Sequence, residues 1–245
     1  MAASSSEVKG ESIEDTLETM HSYTDMIIVR HRENDIAEKA AWMFNNSDKP
    51  IPVINAGSGP IEHPTQALLD VYTMHRAFKG SLKNKTIAVI GDLKRGRAVR
   101  SLLYMLKNFK GIKLLFISPE ELKLPDDIKS FLDKHLIPYD QSDDLEKNLR
   151  KADVFYFTRI QDEYDIQHES MGIDYSHFFL RPEHMQHIRS NAIIMHPLPR
   201  RSEIPVEIDS DPRAWYWKQE INGLWIRTAL IAHIFREDGF ILNYK

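Results

Sequence analysis

The chain has 245 residues, 42% hydrophobic and 28% charged, with a formal net charge of -4 and no cysteine. That is enough for one or two packed domains, and it excludes a disulfide framework, a thiolate nucleophile and a cysteine-based zinc site. Scattered Lys and Arg on a net-acidic chain give no basic footprint for nucleic acid. No apolar run nears the ~18 residues of a bilayer span, and the first residues lack a signal-peptide core, so cytoplasm is the expected compartment.

Residues 1–10 are Ser-rich and read as a loop or arm. Apolar spacing at Ile13, Leu17, Met20 and Tyr23 predicts a helix over 14–23, followed by a short buried strand at 26–30 and a second helix at 35–44. A strand at 51–54 and a helix at 67–78 come next, and Gly80-Ser81 breaks the chain before a fresh sheet starts at 86. From there the pattern predicts strand 86–90, helix 98–109, strand 113–117, helix 126–135, strand 154–158 and strand 192–195. The last element is a long helix over 215–235, broken near Asn222-Gly223, with Trp217, Leu224, Ile231 and Phe235 as core. Strands apolar through their length, alternating with helices, predict an α/β fold of parallel sheets.

In such sheets functional loops lie beyond the C-terminal strand ends. Those positions carry Arg30-His31, residues 55–63, residues 92–97, Arg159-Ile160-Gln161 and residues 196–201. Four of the five loops bear arginine and the other ends in His63, a lining suited to a multiply anionic substrate. The stretch 53–70 is central: a strand opens into a small-residue loop, and His63-Pro64-Thr65-Gln66 leads into a helix whose first turn leaves backbone N–H groups for an anion. By itself His63 reads more readily as a helix cap or a satisfied core residue than as a catalyst.

Other chemistry lacks its signature. No G-x-G-x-x-G or P-loop occurs around Gly91, no G-x-S-x-G elbow is present, and His184 and His187 have no third ligand, so a solvated helix suits them better.

HPTQALLD at 63–70, GDLKRGR at 91–97, TRIQ at 158–161, HPLPRRSEI at 196–204 and NGLWIRTAL at 222–230 together resemble the aspartate carbamoyltransferase family. Residues 6–12 are similar to that family's S-x-x-K-G-E-T loop, so the resemblance spans almost the whole chain. The ornithine enzymes are less similar, since they carry a cysteine before the Leu-Pro of the fourth motif.

The resemblance implies two parallel-sheet α/β domains of the carbamoyltransferase type, the first incomplete. Residues 1–66 would belong to the carbamoyl-phosphate domain, 67–220 to the aspartate domain, and 221–245 to a helix packing back on the first. It implies transfer of the carbamoyl group from carbamoyl phosphate to L-aspartate without a cofactor or metal. His63 and Arg30 would bind the carbamoyl oxygen and Gln66 its NH2 group. Arg97, Arg159 and Gln161 would hold the carboxylates of aspartate, and the carbonyl of Leu198 would orient the amine. Lys9 and Ser6 would reach a neighbouring subunit's site, which implies a homotrimer with shared sites, alone, with a regulatory subunit or within a larger polypeptide.

The family's S-T-R-T-R phosphate loop does not occur in the sequence, which reads as lacking the N-terminal part of the first domain. Arg32, Ser58, Ala98, Asp162 and Tyr164 also depart from the family pattern. These departures leave open a non-catalytic paralogue acting in binding or assembly, and an incomplete first domain would expose an apolar face.

Overall fold

A computed structural model describes residues 10–161 and 174–239. Lys9, Ser6, Asp162 and Tyr164 lie outside the described residues. The elements in order are α1 (Ile13–His21), β1 (Ile27–His31), α2 (Ile36–Asn45), β2 (Val53–Ser58), α3 (Pro64–Ala77), β3 (Thr86–Ile90), α4 (Arg97–Leu106), β4 (Lys113–Ile117), α5 (Asp126–Lys134), β5 (Tyr139–Ser142), β6 (Val154–Phe157), β7 (Ile193–Met195) and α6 (Tyr216–Ile234).

The first sheet is the parallel pair β1–β2, in register from Ile27 opposite Val53. Leu17, Val29, Ile36, Ala40, Phe44 and Ile51 form the core beneath it. Ser12 caps α1 by accepting from the Asp15 N–H at 3.1 Å, and only Leu17 of the predicted apolar stripe is buried at its centre. Met20 and Tyr23 are exposed, and β1 is not a buried strand, because Ile28 faces outward.

The second sheet runs β5-β4-β3-β6-β7, all parallel. Its side chains alternate between two cores, with Ile87 and Val89 turned toward Leu102, Leu106 and Leu132, and Ala88 and Ile90 toward Phe155, Phe157 and Ile188. The order reverses between β3 and β6, which opens a crevice at their C-terminal ends. A side chain at Gly91 would bring its Cβ within 2.3 Å of the Thr158 carbonyl oxygen, at a φ of +111°, so only glycine lets the two strand ends close up.

Three expectations are corrected. β5 has no counterpart in the apolar pattern, because Tyr-Asp-Gln-Ser sits on an edge where side chains meet water. The last helix is unbroken through Asn222-Gly223, and its buried residues are Tyr216, Gln219, Asn222 and Gly223. Trp217, Leu224 and Phe235 are 45%, 62% and 45% exposed rather than core. The reason is polar. α6 turns its amides onto α3, where Asn222 donates to Thr73 Oγ1 at 3.0 Å and accepts from Arg76 at 2.9 Å. Finally, His184 is the one buried residue of a largely exposed 3-10 turn, 4% exposed, and its Nδ1 accepts from the Arg181 N–H, while His187 just beyond the turn is exposed, so the two do not share a solvated helix face.

Candidate active site

A cavity of about 380 Å³ opens at the switch point of the second sheet and reaches across to β1, α3 and α6. Arg30, His63, Gln66, Arg97, Arg159, Gln161 and Leu198 all line it, so every described site residue picked out from the sequence converges there.

His63 precedes α3 and Pro64 opens the helix, but the imidazole makes no capping bond, which removes the cap reading. Its backbone N–H donates to Ser101 Oγ at 2.9 Å, fixing the turn on α4. Among the described residues its buried Nδ1 has no partner. Burial, reinforced by Arg97, Arg30 and Arg227, holds the imidazole down to about 4, so it is neutral near pH 7. A neutral imidazole can still donate one hydrogen bond to an oxygen that gains charge.

The guanidinium groups come from four elements. Arg30 is the penultimate residue of β1, Arg97 begins α4 and donates to the Gly59 carbonyl at 2.9 Å, and Arg159 follows β6 and donates to the Ile160 carbonyl at 3.0 Å. The fourth is Arg227 of α6. Arg200, which the strand-end reading had offered, turns away to pair with both carboxylate oxygens of Asp209 and with Tyr216. Arg201 lies against a separate small cavity beside Phe178. The loop after β7 therefore brings backbone and prolines to the site instead of charge.

That loop is held from behind. The His196 Nε2–H donates to Glu203 at 2.8 Å, while its Nδ1 accepts from the Leu198 N–H at 2.8 Å. Burial works to raise Glu203, yet the bond from His196 and the Arg201 N–H keep it below the ordinary carboxylate range. Leu198 has φ +52° and a cis bond to Pro199. A γ-branched residue in the left-handed region carries strain, which here lies at the cavity wall.

Sequence reasoning missed a second layer. Asp70, fully buried, accepts from Gln66 Nε2 at 2.9 Å, Gln219 Nε2 at 2.6 Å and the Tyr156 hydroxyl at 2.7 Å. Gln219 in turn accepts from the His196 N–H at 2.9 Å. Arg227 was missed as a site residue too. The available signal was spacing, because Gln219, Gly223 and Arg227 recur every four residues and share one helix face.

Among the described residues no three His, Asp or Glu side chains are grouped as metal ligands would be, and no helix is long and apolar enough to cross a membrane.

Residues 83–234 match the family Aspartate/ornithine carbamoyltransferase, Asp/Orn binding domain, and residues 1–76 its carbamoyl-P binding domain. The chain is 46% identical over 232 residues to a chloroplastic aspartate carbamoyltransferase of Arabidopsis thaliana, covering 93% of this chain and 57% of that protein. It is 42% identical to an aspartate carbamoyltransferase catalytic subunit of Clostridium botulinum, covering 94% and 74%. Multifunctional protein CAD of Squalus acanthias is 43% identical over 95% of this chain and 10% of its own length. The chain thus spans less than two thirds of the plant relatives. Among solved structures, aspartate transcarbamoylase of Trypanosoma cruzi in complex with carbamoyl phosphate and aspartate superposes with a TM-score of 0.82 at 35% identity, covering 94% of this chain and 72% of that one. With two family domains matched in order and relatives of this identity, the chain belongs to the aspartate carbamoyltransferase family.

Proposed function

We propose that this chain forms the site at which the carbamoyl group of carbamoyl phosphate passes to the amino group of L-aspartate, a step of pyrimidine biosynthesis. The observation that carries it is the convergence of a neutral His63, the Gln66 amide and four guanidinium groups on one cavity. The T. cruzi relative, solved with both substrates, supports the choice of ligands.

The aspartate nitrogen attacks the carbamoyl carbon, the C–N bond forms, and the C–O bond to phosphate breaks with its electron pair leaving on phosphate, which can take the ammonium proton. His63 and Arg30 donate to the carbonyl oxygen as it becomes an oxyanion. One such donor is worth ~3–4 kcal/mol of barrier. Arg97, Arg159 and Gln161 take the two carboxylates, where a planar fork outperforms a point charge, and the Leu198 carbonyl accepts from the attacking amine.

Lys9 and Ser6 complete the site from a neighbouring copy in this reading, which makes the unit a homotrimer, free-standing or part of a larger polypeptide. Residues 1–66, 67–220 and 221–245 are its three segments. The cysteine-free composition favours the cytoplasm, although the plant relatives are named chloroplastic.

The test is formation of N-carbamoyl-L-aspartate by the full chain, with calorimetric binding of carbamoyl phosphate beside it. Turnover that falls about 100-fold or more in His63→Ala is the expected result. A wild-type chain that binds no carbamoyl phosphate would sink the proposal.

A further inference from the structure

We infer that Asp70 is a positioning residue which sets the orientation of the Gln66 carboxamide and, with it, the preference for a ligand bearing an N–H group. The inference rests on the carbamoyl-transfer reading and adds to it what makes the site choose a carbamoyl group over an acyl group of the same shape.

A glutamine amide has a donor end and an acceptor end, and nothing in its shape chooses between them. Gln66 lies at the cavity wall on the first turn of α3, and Asp70 follows one turn later on the same face. Asp70 Oδ1 accepts from Gln66 Nε2 at 2.9 Å and from Gln219 Nε2 at 2.6 Å, and Oδ2 accepts from Tyr156 at 2.7 Å. An acceptor behind Gln66 claims its NH2 group. The opposite end, Oε1, is the one that then serves the cavity, and it can only accept. A carbamoyl NH2 satisfies it. The methyl group of an acetyl phosphate would leave a buried carbonyl oxygen unpaired, which is the strongest ground for rejection available to a polar site.

Either protonation state of Asp70 supports this orientation. A proton on Oδ2 would be donated to the Tyr156 oxygen, and Oδ1 would keep its lone pairs for the two amides. Gln219 carries the constraint onward. With its NH2 held by Asp70, its Oε1 accepts from the His196 N–H at 2.9 Å. The carboxyl of Asp70 therefore sets two amides at once, one facing the carbamoyl group and one anchoring the loop that carries Leu198.

The experiment compares three ligands on the full chain by calorimetry: carbamoyl phosphate, acetyl phosphate and N-(phosphonacetyl)-L-aspartate, whose carbonyl is flanked by a methylene and by the aspartate amide N–H, the group that the proposed mechanism directs to the Leu198 carbonyl and not to Gln66. In Asp70→Leu, which keeps the volume and removes both acceptor oxygens, the preference for carbamoyl over acetyl phosphate is expected to shrink about tenfold, the worth of one hydrogen bond, while the phosphonate affinity falls less than that for carbamoyl phosphate. An unchanged preference, or a parallel loss for all three ligands, would overturn the role of Asp70 and leave the carbamoyl-transfer reading intact. Failure of the wild type to bind carbamoyl phosphate would remove that reading and the inference with it. Should Asp70→Leu not fold, the Gln66 side-chain NH2 resonances of the wild-type chain decide the matter. They are expected to stay protected from exchange and unmoved by carbamoyl phosphate, and a ligand-dependent shift larger than that of the Gln219 NH2 would overturn the assignment.

Discussion

The carboxylate of Asp92, at the end of β3, accepts the backbone N–H of Gln161, beyond the end of β6, at 3.1 Å. This bond spans the switch point and holds the Arg159–Gln161 loop against the Asp92–Arg97 loop. Asp92 is fully buried and also accepts from the Arg95 N–H at 3.0 Å. Burial raises its carboxyl above the ordinary value, and these backbone bonds work against that. Asp92→Ala unpairs two N–H groups at once, which costs about 1–3 kcal/mol of stability. Because the loop it releases carries Arg159 and Gln161, the KM for aspartate should rise roughly tenfold or more, with carbamoyl phosphate affinity changing much less. Equal losses for both substrates in steady-state kinetics would contradict this division of labour.

The two titratable groups flanking Gln66 pull stability in opposite directions with pH. Burial and three arginines hold His63 at about 4, below its ordinary 6.5. Between those values the unfolded chain binds the extra proton, so this group makes stability rise with pH. Burial pushes Asp70 from 3.8 up to about 7 against its three hydrogen bonds. Across that window the folded chain holds the extra proton, so this group makes stability fall as pH rises. The slopes offset in the wild type. His63→Ala should steepen the fall in urea midpoint from about pH 4 to pH 7 relative to wild type, and Asp70→Asn should tilt the profile the other way. Superimposable profiles for the two variants would refute the opposed shifts.

The face that α6 presents to solvent predicts a contrast between two leucines. Leu224 is 62% exposed, so Leu224→Ala should change stability by no more than ~0.5 kcal/mol. Leu102 is fully buried between α4 and the sheet, and Leu102→Ala should cost about 2–5 kcal/mol. Chemical denaturation of the two variants side by side checks both numbers.

Periodicity reveals elements that bury one kind of surface, and this chain shows both sides of that rule. The apolar runs at 87–90, 114–117, 154–157 and 193–195 are buried, the first three in central strands and the last in the edge strand β7, and they are legible because apolar packing selects their residues. Arg97, Arg159, Gln161 and Leu198 of the cavity were legible for a topological reason, since a parallel sheet opens its crevice beyond the C-terminal ends of its strands. The face of α6 was misread because its contact with α3 is made by Gln219 and Asn222, so the apolar stripe and the buried stripe are different stripes. Asp70 gave no signal beyond its place in HPTQALLD. A lone carboxyl on an amphipathic helix looks solvated until Tyr156, 86 residues away in sequence, is seen to donate to it.

Gly223 makes room for Arg227. A Cβ at Gly223 would lie 2.7 Å from Arg227 Nη1 and 3.2 Å from Leu69 Cδ2. The first contact is with the far end of a flexible side chain, so Gly223→Ala should be accommodated by swinging the guanidinium away from the cavity rather than by breaking α6. Alanine favours a helix interior over glycine by roughly 0.8–1.0 kcal/mol, which offsets the crowding against Leu69, and the thermal midpoint should move by only a few degrees. Anion affinity should suffer as in Arg227→Ala, roughly tenfold or more for N-(phosphonacetyl)-L-aspartate, the loss of one charge-assisted hydrogen bond. The double variant Gly223→Ala/Arg227→Ala separates the causes. If Gly223 acts only by making space for Arg227, the double variant binds as weakly as Arg227→Ala alone, whereas multiplied losses would show that Gly223 supports the site by another route.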